Sequence, residues 1–441
     1  MAVYIEPKVL KGFRDFLPPA EIVRRGLTEK IESTFRSFGF VPIDTPALEY
    51  AEILLGKGGG ETEKQIFRFQ DNGGRDVALR FDLTVPFARY TAQHRAELVF
   101  PFKRYHIGKA WRGENTQRGR YREFTQCDFD IIGSDSPSAD FEILLLIHTA
   151  LSCLELDFTI HVNHRGLFNR FLSHIGQNEK SADILRAVDK IAKVGEDETK
   201  KSLTELAGGG NAEKILEFIK AKGSFTETLD RITELSGGAS PESERLSALR
   251  QFMIDATGED SKLILDPSIT RGLDYYTGVV FETFLNELPD IGSICSGGRY
   301  DNLAGLYSKD SSSISGVGSS IGLDRLIAAL ESLGKLPNTN NCPVAIACVN
   351  VEKSGQYQAL AQKLRQAGIP CEVFTDPCQP SQDSEKQIVK QFVLAEKKGM
   401  RYVLIAGENP LSDNVTLRDL SARKNSEMSV EEAIGKIVNT K

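Results

Sequence analysis

Arg271-Gly272-Leu273-Asp274-Tyr275-Tyr276-Thr277-Gly278 sets a fixed cation, a carboxylate and two phenols between glycines. Guanidinium is a permanent planar donor, a phenol offers both an aromatic face and a hydroxyl, and glycine lets backbone approach a ligand closely. Such a stretch can wall a small-molecule pocket that takes an anionic centre and a polar ring. Taken alone, it equally fits a strand whose tyrosines fill core and whose Arg271 and Asp274 pair with each other.

A second group lies between residues 103 and 133. Lys103, Arg104, Lys109, Arg112, Arg118, Arg120 and Arg122 flank Gly113, Gly119 and the acid Glu114. In a strand-loop-strand hairpin a glycine-containing basic loop can reach phosphates while cations on the strands stay fixed, which suits a polyanionic substrate. A solvated charged hairpin is the alternative. Strand alternation puts Gln126, Asp128 and Asp130 on one face, and Phe81-Asp82-Leu83-Thr84 precedes the hairpin. That row can hold an ammonium and a polar ring. Acids among apolar neighbours are costly unless a cation joins them, and Arg271 or a ligand amine are the candidates.

The third group is Ser296-Gly297-Gly298-Arg299-Tyr300-Asp301, followed by Gly316-Val317-Gly318-Ser319-Ser320-Ile321-Gly322-Leu323-Asp324-Arg325. Small residues leading into a helix permit a nucleotide to come close, with Arg325 in the first turns. The glycine spacing is not a dinucleotide fingerprint, and no phosphate-loop motif occurs, since Gly56-Lys57 is followed by glycine. ATP, if bound, is bound without a phosphate loop. His161-Val162-Asn163-His164 is the one close histidine pair and lacks a third ligand nearby, so no structural metal is indicated.

The elements that must position these groups can be read in outline. Val23, Leu27, Ile31, Phe35 and Phe38 give a helix with one apolar stripe over residues 21–38, ended by Gly39. Val41-Pro42-Ile43-Asp44-Thr45-Pro46 is extended and, with two prolines, belongs at a sheet edge where a second subunit can pack. Strand character at 77–83, 100–108 and 121–133 favours an antiparallel sheet, followed by a helix over 139–156 and a strand over 158–162. From 167 to 256 charged helical stretches alternate with Gly208-Gly209-Gly210 and Gly237-Gly238, which reads as a helical insertion. Strands return at 263–265 and 279–282, and a helix over 321–333 stops at Gly334. After a polar break, strands at 344–349, 371–374 and 402–405 alternate with helices at 352–367 and 384–398, the pattern of a small, largely parallel α/β module.

Together these stretches resemble class II aminoacyl-tRNA synthetases, and among them the histidyl-tRNA synthetase family. Residues 39–49, with Pro46, look like the first class motif, the dimer-forming strand; 102–133 look like the second; 316–330 like the third. The stretch 271–278 is similar to the family's histidine signature, and Lys11-Gly12-Phe13-Arg14-Asp15-Phe16-Leu17-Pro18 to its N-terminal segment. The resemblance spans essentially the whole chain and implies an α+β fold. A class II antiparallel sheet flanked by helices would form the catalytic core from 1–166 (motifs 1 and 2) and 257–335 (histidine signature and motif 3). A helical insertion would occupy 167–256, and an α/β anticodon-binding domain 342–441.

The implied activity is ATP-dependent attachment of L-histidine to its tRNA through histidyl-adenylate, releasing pyrophosphate and AMP. Arg112 and Arg271 would be catalytic, flanking the α-phosphate and substrate carboxylate, with Arg271 on the side where related enzymes use a metal. Histidine would be bound by Asp82, Thr84, Arg112, Gln126, Asp130, Arg271, Tyr275 and Tyr276, and ATP by Arg112, Glu114 and Arg325, with Mg²⁺ arriving with ATP and no tightly bound protein metal. Arg118 and Arg120 would meet the tRNA acceptor end, and Lys386, Lys390, Lys397, Lys398 and Arg401 could touch phosphates in the last domain. Bacterial-type members commonly carry Glu where this chain has Asp130. The shorter acid looks like the eukaryotic-type pattern, and the ring contact would then run through Tyr276 or water. Two other readings fit parts of this pattern: a non-catalytic, histidine-sensing regulatory subunit of ATP phosphoribosyltransferase, which typically lacks the last domain and the catalytic arginines, and a tRNA-sensing domain of a kinase, for which no kinase signature is present.

Bulk properties agree with this reading. At 441 residues, with 40% hydrophobic and 26% charged residues, the chain has the composition of a folded protein of two to four domains at roughly 150 residues each. A net charge of −7 argues against a generally basic nucleic-acid coat and leaves room for a local basic face. Seven Cys residues without a C-x-x-C pair suit reduced thiols, and the first ten residues lack a signal-peptide core, so a cytoplasmic homodimer with no membrane association is expected.

Overall fold

The structure, a computed structural model, describes residues 4–56, 61–258, 262–270, 275–308, 313–336, 342–374, 384–406, 410 and 414–439. Two compact units are present, one formed by Met1–Phe16 with Arg24–Leu336 and the other by Leu17–Val23 with Pro337–Lys441.

The larger unit is organised on an eight-stranded sheet. Its strands run in the order Val41–Pro42, Phe102–Trp111, Glu123–Ile132, Gly316–Gly322, Cys295–Arg299, Val279–Leu285, Phe158–His164 and Leu263–Leu265. All neighbours pair antiparallel except the two edge strands, which pair parallel. The proline-bearing segment does lie at an edge, where its missing donor costs no ladder bond.

The helix Pro18–Ser37 packs its stripe on the sheet through Leu27, Ile31 and Phe35, with the Phe35 ring 4.9 Å from that of Phe129 and 5.6 Å from that of Tyr105. On another part of the unit Leu48–Tyr50, Arg68–Gln70 and Asp76–Leu79 form a small three-stranded sheet. Only the last of these falls in a segment read as a strand from the sequence; the first two are three residues each and largely exposed.

The helix Pro137–Ser152 is fixed to the sheet by a buried ion pair. Arg299 donates from Nε and Nη2 to one oxygen of Asp140, at 2.9 and 2.6 Å, while Arg245 takes the other at 2.8 Å. Arg299, quoted above beside the nucleotide-type glycines, is thus a structural cation. The described residues of 165–257 are mostly helical, with Ser224 and Ser240 closing capping boxes on Phe225–Leu235 and Pro241–Thr257. The triple glycine is only partly a break, because Gly209 and Gly210 open the helix Gly209–Ile219.

The central strands approach one another unusually closely. A Cβ on Gly297 would stand 2.2 Å from the carbonyl oxygen of Gly318, and one on Gly318 would stand 1.9 Å from Oδ1 of Asp130. Gly318 lines the cleft described below, whereas Gly297 packs against the Phe281 ring.

In the smaller unit five strands run in the order Cys371–Val373, Val344–Ile346, Tyr402–Ala406, Asn414–Asp419, Lys424–Ser429. The first three are parallel, as alternation with helices implied; the last two return antiparallel. Lys-Asn-Ser-Glu-Met-Ser is an edge strand whose one apolar residue, Met428, packs on the core, too little for periodicity to reveal it. The helix Val430–Val438 then closes the core through Val430, Ala433 and Ile437.

Gly297→Ala is expected to lower folding stability by about 1–3 kcal/mol, the range for overpacking a core, because the new methyl meets backbone that cannot rotate away. Chemical denaturation checks this, and an unchanged midpoint would show that the two strands can separate freely.

Candidate functional site

A cleft of about 780 Å³ opens over the central strands of the larger unit, and Asp82, Thr84, Arg112, Gln126, Asp130, Tyr275 and Tyr276 line it together with Arg118, Arg120 and Arg325. Residues up to 243 positions apart in the chain, from Asp82 to Arg325 (325 − 82), therefore meet on one surface. Arg271 and Asp274 lie outside the described residues, so the expected catalytic role of the first and the possible pairing of the two rest on the sequence alone.

Asp82 sits just before the helix Thr84–Gln93. One carboxylate oxygen accepts the Val85 N–H at 3.1 Å, and the other accepts the Tyr275 hydroxyl at 3.1 Å. Burial pushes the Asp82 carboxyl up to about 6 despite that help and the nearby Arg112. The Tyr275 and Tyr276 rings meet edge to face at 4.9 Å, and burial raises both phenols, so they remain protonated donors at neutral pH. Arg112 is held by its Nε, which donates to the Phe81 carbonyl at 2.9 Å, and its guanidinium lies 5.0 Å from the Phe124 ring centre. Gln126 donates to Ser320 Oγ at 2.9 Å across the neighbouring strand.

The row Gln126, Asp128, Asp130 does share a face, and the cation that joins it comes from the adjacent strand. Arg104 pairs in register with Asp130 and brings Nη2 to within 2.6 Å of Oδ2. Arg104 is fully buried over the Phe87 ring at 4.2 Å, so it is not available to a phosphate as the hairpin composition suggested. Tyr300 donates its hydroxyl to the other oxygen of Asp130 at 2.5 Å. Asp128 is buried beneath the row, and its carboxyl is pushed up to about 7 by that burial.

A second cavity of about 130 Å³ shares Arg112, Arg120, Gln126 and Arg325 with the first and adds Glu114, Tyr121, Phe124, Thr125 and Asp324. Arg325, in the first turn of the helix Leu323–Ser332, donates to the Ser293 carbonyl. Arg120 reaches Glu114 at 3.3 Å. Behind this cavity the N-terminal segment crosses the hairpin. The Arg14 guanidinium lies between the rings of Phe16 and Tyr121, at 4.3 and 4.0 Å, donates to the Tyr121 hydroxyl at 3.0 Å and pairs with Asp324. The second oxygen of Asp324 accepts the Thr125 N–H at 2.7 Å, and Arg122 N–H donates to the Gly12 carbonyl at 2.9 Å.

Other expectations resolve less simply. Lys103 pairs with Glu142 and Lys109 with Glu123, so the cations turned to the cleft are those of the loop and its base. His161 bonds Asp266 at 2.9 Å while His164 accepts the Gly166 N–H at 3.1 Å, and the two face opposite sides of their strand. Among the described residues no cluster of three or more His, Cys, Asp or Glu is arranged to hold a metal, and no helix is long and apolar enough to cross a membrane. Cys127, Cys153, Cys295, Cys342, Cys348 and Cys371 are not disulfide-bonded; Cys378 lies outside the described residues. In the smaller unit Lys398 pairs with Glu372 and Arg401 approaches Asp419 at 4.0 Å, whereas Lys390 and Lys397 are exposed; the Lys386 side chain is outside the described set. Sequence reasoning gave no site role to Arg14, Phe124, Tyr300 or Asp324, and placed Arg104 only among the phosphate-directed cations of the hairpin. The signal for Arg104 was available, because hairpin register places it opposite Asp130.

An antiparallel sheet with an arginine-bearing hairpin, a glycine-floored strand leading into a helix with Arg325, and one cleft between them defines a class II aminoacyl-tRNA synthetase core. The chain belongs to the histidyl-tRNA synthetase family: the model of that family matches residues 12–326, and an anticodon binding domain model matches residues 343–440. It is 50% identical to the Histidine--tRNA ligase of Treponema denticola over 454 aligned positions, covering 99% of each chain. It is 46% identical to that of Rhodopirellula baltica, covering 92% of this chain and 91% of the other. Among solved structures, histidyl-tRNA synthetase from Nostoc sp. superposes with a TM-score of 0.84 at 30% identity, covering 98% of this chain and all of that one. A Bacillus halodurans protein described as an ATP phosphoribosyltransferase regulatory subunit/histidyl-tRNA synthetase shares the fold at TM-score 0.71 and 22% identity, covering 87% of this chain and 96% of that one.

Arg14→Ala removes two ring contacts, one hydroxyl bond and one ion pair from the back of the hairpin. Amide hydrogen exchange at residues 112–125 should accelerate about tenfold, the factor that about 1.4 kcal/mol confers, with amides at 127–131 unchanged. Equal protection in wild type and variant would show that the N-terminal segment does not hold the hairpin.

Proposed function

We propose that this chain charges histidine tRNA with L-histidine in two steps on the cleft described above. The carrying observation is that an acid, amide and phenol set suited to an amino acid faces the same cavity as Arg112 and Arg325. In the first step a carboxylate oxygen of histidine attacks the α-phosphorus of ATP and pyrophosphate leaves. In the second a hydroxyl of the 3′-terminal ribose attacks the carbonyl carbon, and AMP leaves.

Each group has a physical task. Asp82, with Thr84 and Gln126, takes the substrate ammonium, since an ionised carboxylate is acceptor-only. Tyr275 and Tyr276 pack against the imidazole and Asp130 accepts from it. A pocket that pairs ring nitrogens rejects isosteres that leave its buried polar groups bare. Charge accumulating on the α-phosphate calls for preorganised cations, and Arg112, pinned to Phe81, meets that need from one side while Arg271 serves from the other. Arg325 takes the γ-phosphate, and Glu114 lies beside the nucleotide in the smaller cavity. Mg²⁺ enters with ATP; Glu282 and Asp290 line the same cleft and offer it carboxylate oxygens.

Arg118 and Arg120, on the hairpin loop, line the cleft, where they suit the acceptor end of tRNA. Residues 342–441 serve the anticodon, with exposed Lys390 and Lys397 the better phosphate contacts there. Val41, Leu48 and Tyr50 are 46, 39 and 50% exposed, an apolar edge that favours the expected homodimer. Reduced thiols accord with a cytoplasmic location.

Purified enzyme should catalyse ATP–pyrophosphate exchange with histidine and with none of the other standard amino acids; exchange with a different one would overturn the reading. Arg271→Ala should abolish histidine-dependent exchange while leaving the protein folded, and near-normal exchange in that variant would sink its catalytic assignment.

A pH dependence follows from Asp82. With its carboxyl raised to about 6 by burial, falling pH protonates it and removes the partner of the ammonium, so KM for histidine should rise below that value. Substrate imidazole titrates in the same window, so the diagnostic is the difference: Asp82→Asn should raise KM at neutral pH and show a shallower slope below pH about 6. Parallel profiles for the two enzymes would exclude Asp82 as the group responsible.

A further inference from the structure

Asp130 is 2% exposed; its Oδ1 accepts the Tyr300 hydroxyl at 2.5 Å, and its Oδ2 lies 2.6 Å from Arg104 Nη2 in an ion pair that lacks hydrogen-bond geometry. The two partners are themselves fixed. Tyr300 is 1% exposed, its N–H donates to the Gly316 carbonyl at 2.7 Å, and its ring meets the Tyr275 ring edge to face at 6.0 Å. Arg104 is wholly buried, and among the described residues Asp130 is the one carboxylate within salt-bridge distance of it.

Burial raises the Asp130 carboxyl, while Arg104 and then Tyr300 pull it back. A neutral Asp130 would leave a permanently charged guanidinium buried without a counter-ion, which costs far more than ionising the acid beside it, so the pair is ionic. Such a pair contributes little to stability compared with apolar packing of equal volume. Its place on the wall of the substrate cleft, opposite a glycine whose Cβ would collide with Oδ1, points to recognition.

We propose that Tyr300 and Arg104 are positioning residues that set substrate specificity, by holding Asp130 as an ionised acceptor in one orientation for a ring N–H of the amino-acid side chain. This rests on the cleft being the histidine site. Each carboxylate oxygen has two lone pairs; the Tyr300 hydroxyl uses one on Oδ1 and Oδ2 accepts no hydrogen bond, so acceptor capacity remains for the ligand. An acceptor that cannot turn away and cannot supply a proton penalises any side chain presenting C–H or sulfur at that position.

The test uses the full-length enzyme in ATP–pyrophosphate exchange with histidine and with thiazolylalanine, whose ring lacks the N–H. Tyr300→Phe, which removes one oxygen and keeps the ring, should raise KM for histidine about tenfold, leave kcat and KM for ATP within about twofold, and reduce discrimination against thiazolylalanine about tenfold. Arg104→Lys keeps the buried charge but loses the planar fork and should move the same parameters the same way, which preserves the test if either variant fails to fold. Folded variants with unchanged histidine KM and unchanged discrimination would overturn the proposal, as would an equal rise in KM for both substrates. Failure of the wild-type enzyme to use histidine at all would instead overturn the reading of the site.

Discussion

The register of one hairpin governs this molecule. Phe102–Trp111 and Glu123–Ile132 pair along their whole length, so that Gly108 faces Gln126, His106 faces Asp128 and Arg104 faces Asp130. On the other side of the same strand, Gly322, Ser320 and Gly318 face those three residues. A slip of one residue would turn the row of polar side chains into the opposite face and bring Phe129 and Cys127, both wholly buried in core, into the cleft. Site chemistry and core packing thus share one constraint, and neither can change without the other.

That constraint explains how three acids can sit together in a buried place. Asp82, Asp128 and Asp130 are each at most 2% exposed. Asp130 is offset by a buried guanidinium from the neighbouring strand, and Asp82 by a backbone N–H and a phenol. Asp128 has neither a full ion pair nor exposure, and its carboxyl lies near neutrality in consequence. Three acids of one type therefore behave differently, because burial is common to them and the partners are not.

The nucleotide side is organised by the N-terminal segment. Arg14 ties Tyr121 on the hairpin loop to Asp324 at the start of a helix more than three hundred residues later, by the chain numbering. Asp324 passes the restraint on to the Thr125 backbone. The hairpin loop that carries Arg118 and Arg120 is thereby anchored at its base, where Arg112 is also pinned to Phe81.

Much of this could be read in the sequence. The edge position of Val41–Pro42 followed from proline's missing donor, the shared face of Gln126, Asp128 and Asp130 from strand alternation, and the α/β texture of the last unit from alternating periods. The polar row on the hairpin was also legible, because unusual polar side chains within apolar strands stand out against their background. What stayed hidden had a common cause. The strand Lys424–Ser429 carries no apolar period because Met428 is its one apolar residue, and Gly209 and Gly210 look like a break although they open a helix.

The sequence by itself determined the inventory: which residues could bind an amino acid and a nucleotide, and in what order they occur. Only tertiary structure decided their allegiances. Arg104 belongs to the same run of cations as Arg112, yet it is buried against Asp130 while Arg112 faces the cleft. Arg299 looks like a nucleotide-site cation and is instead the buried partner of Asp140. A charge's role depends on which opposite charge lies within a few ångströms and how much water remains around both, and those quantities are set by segments far apart in the chain.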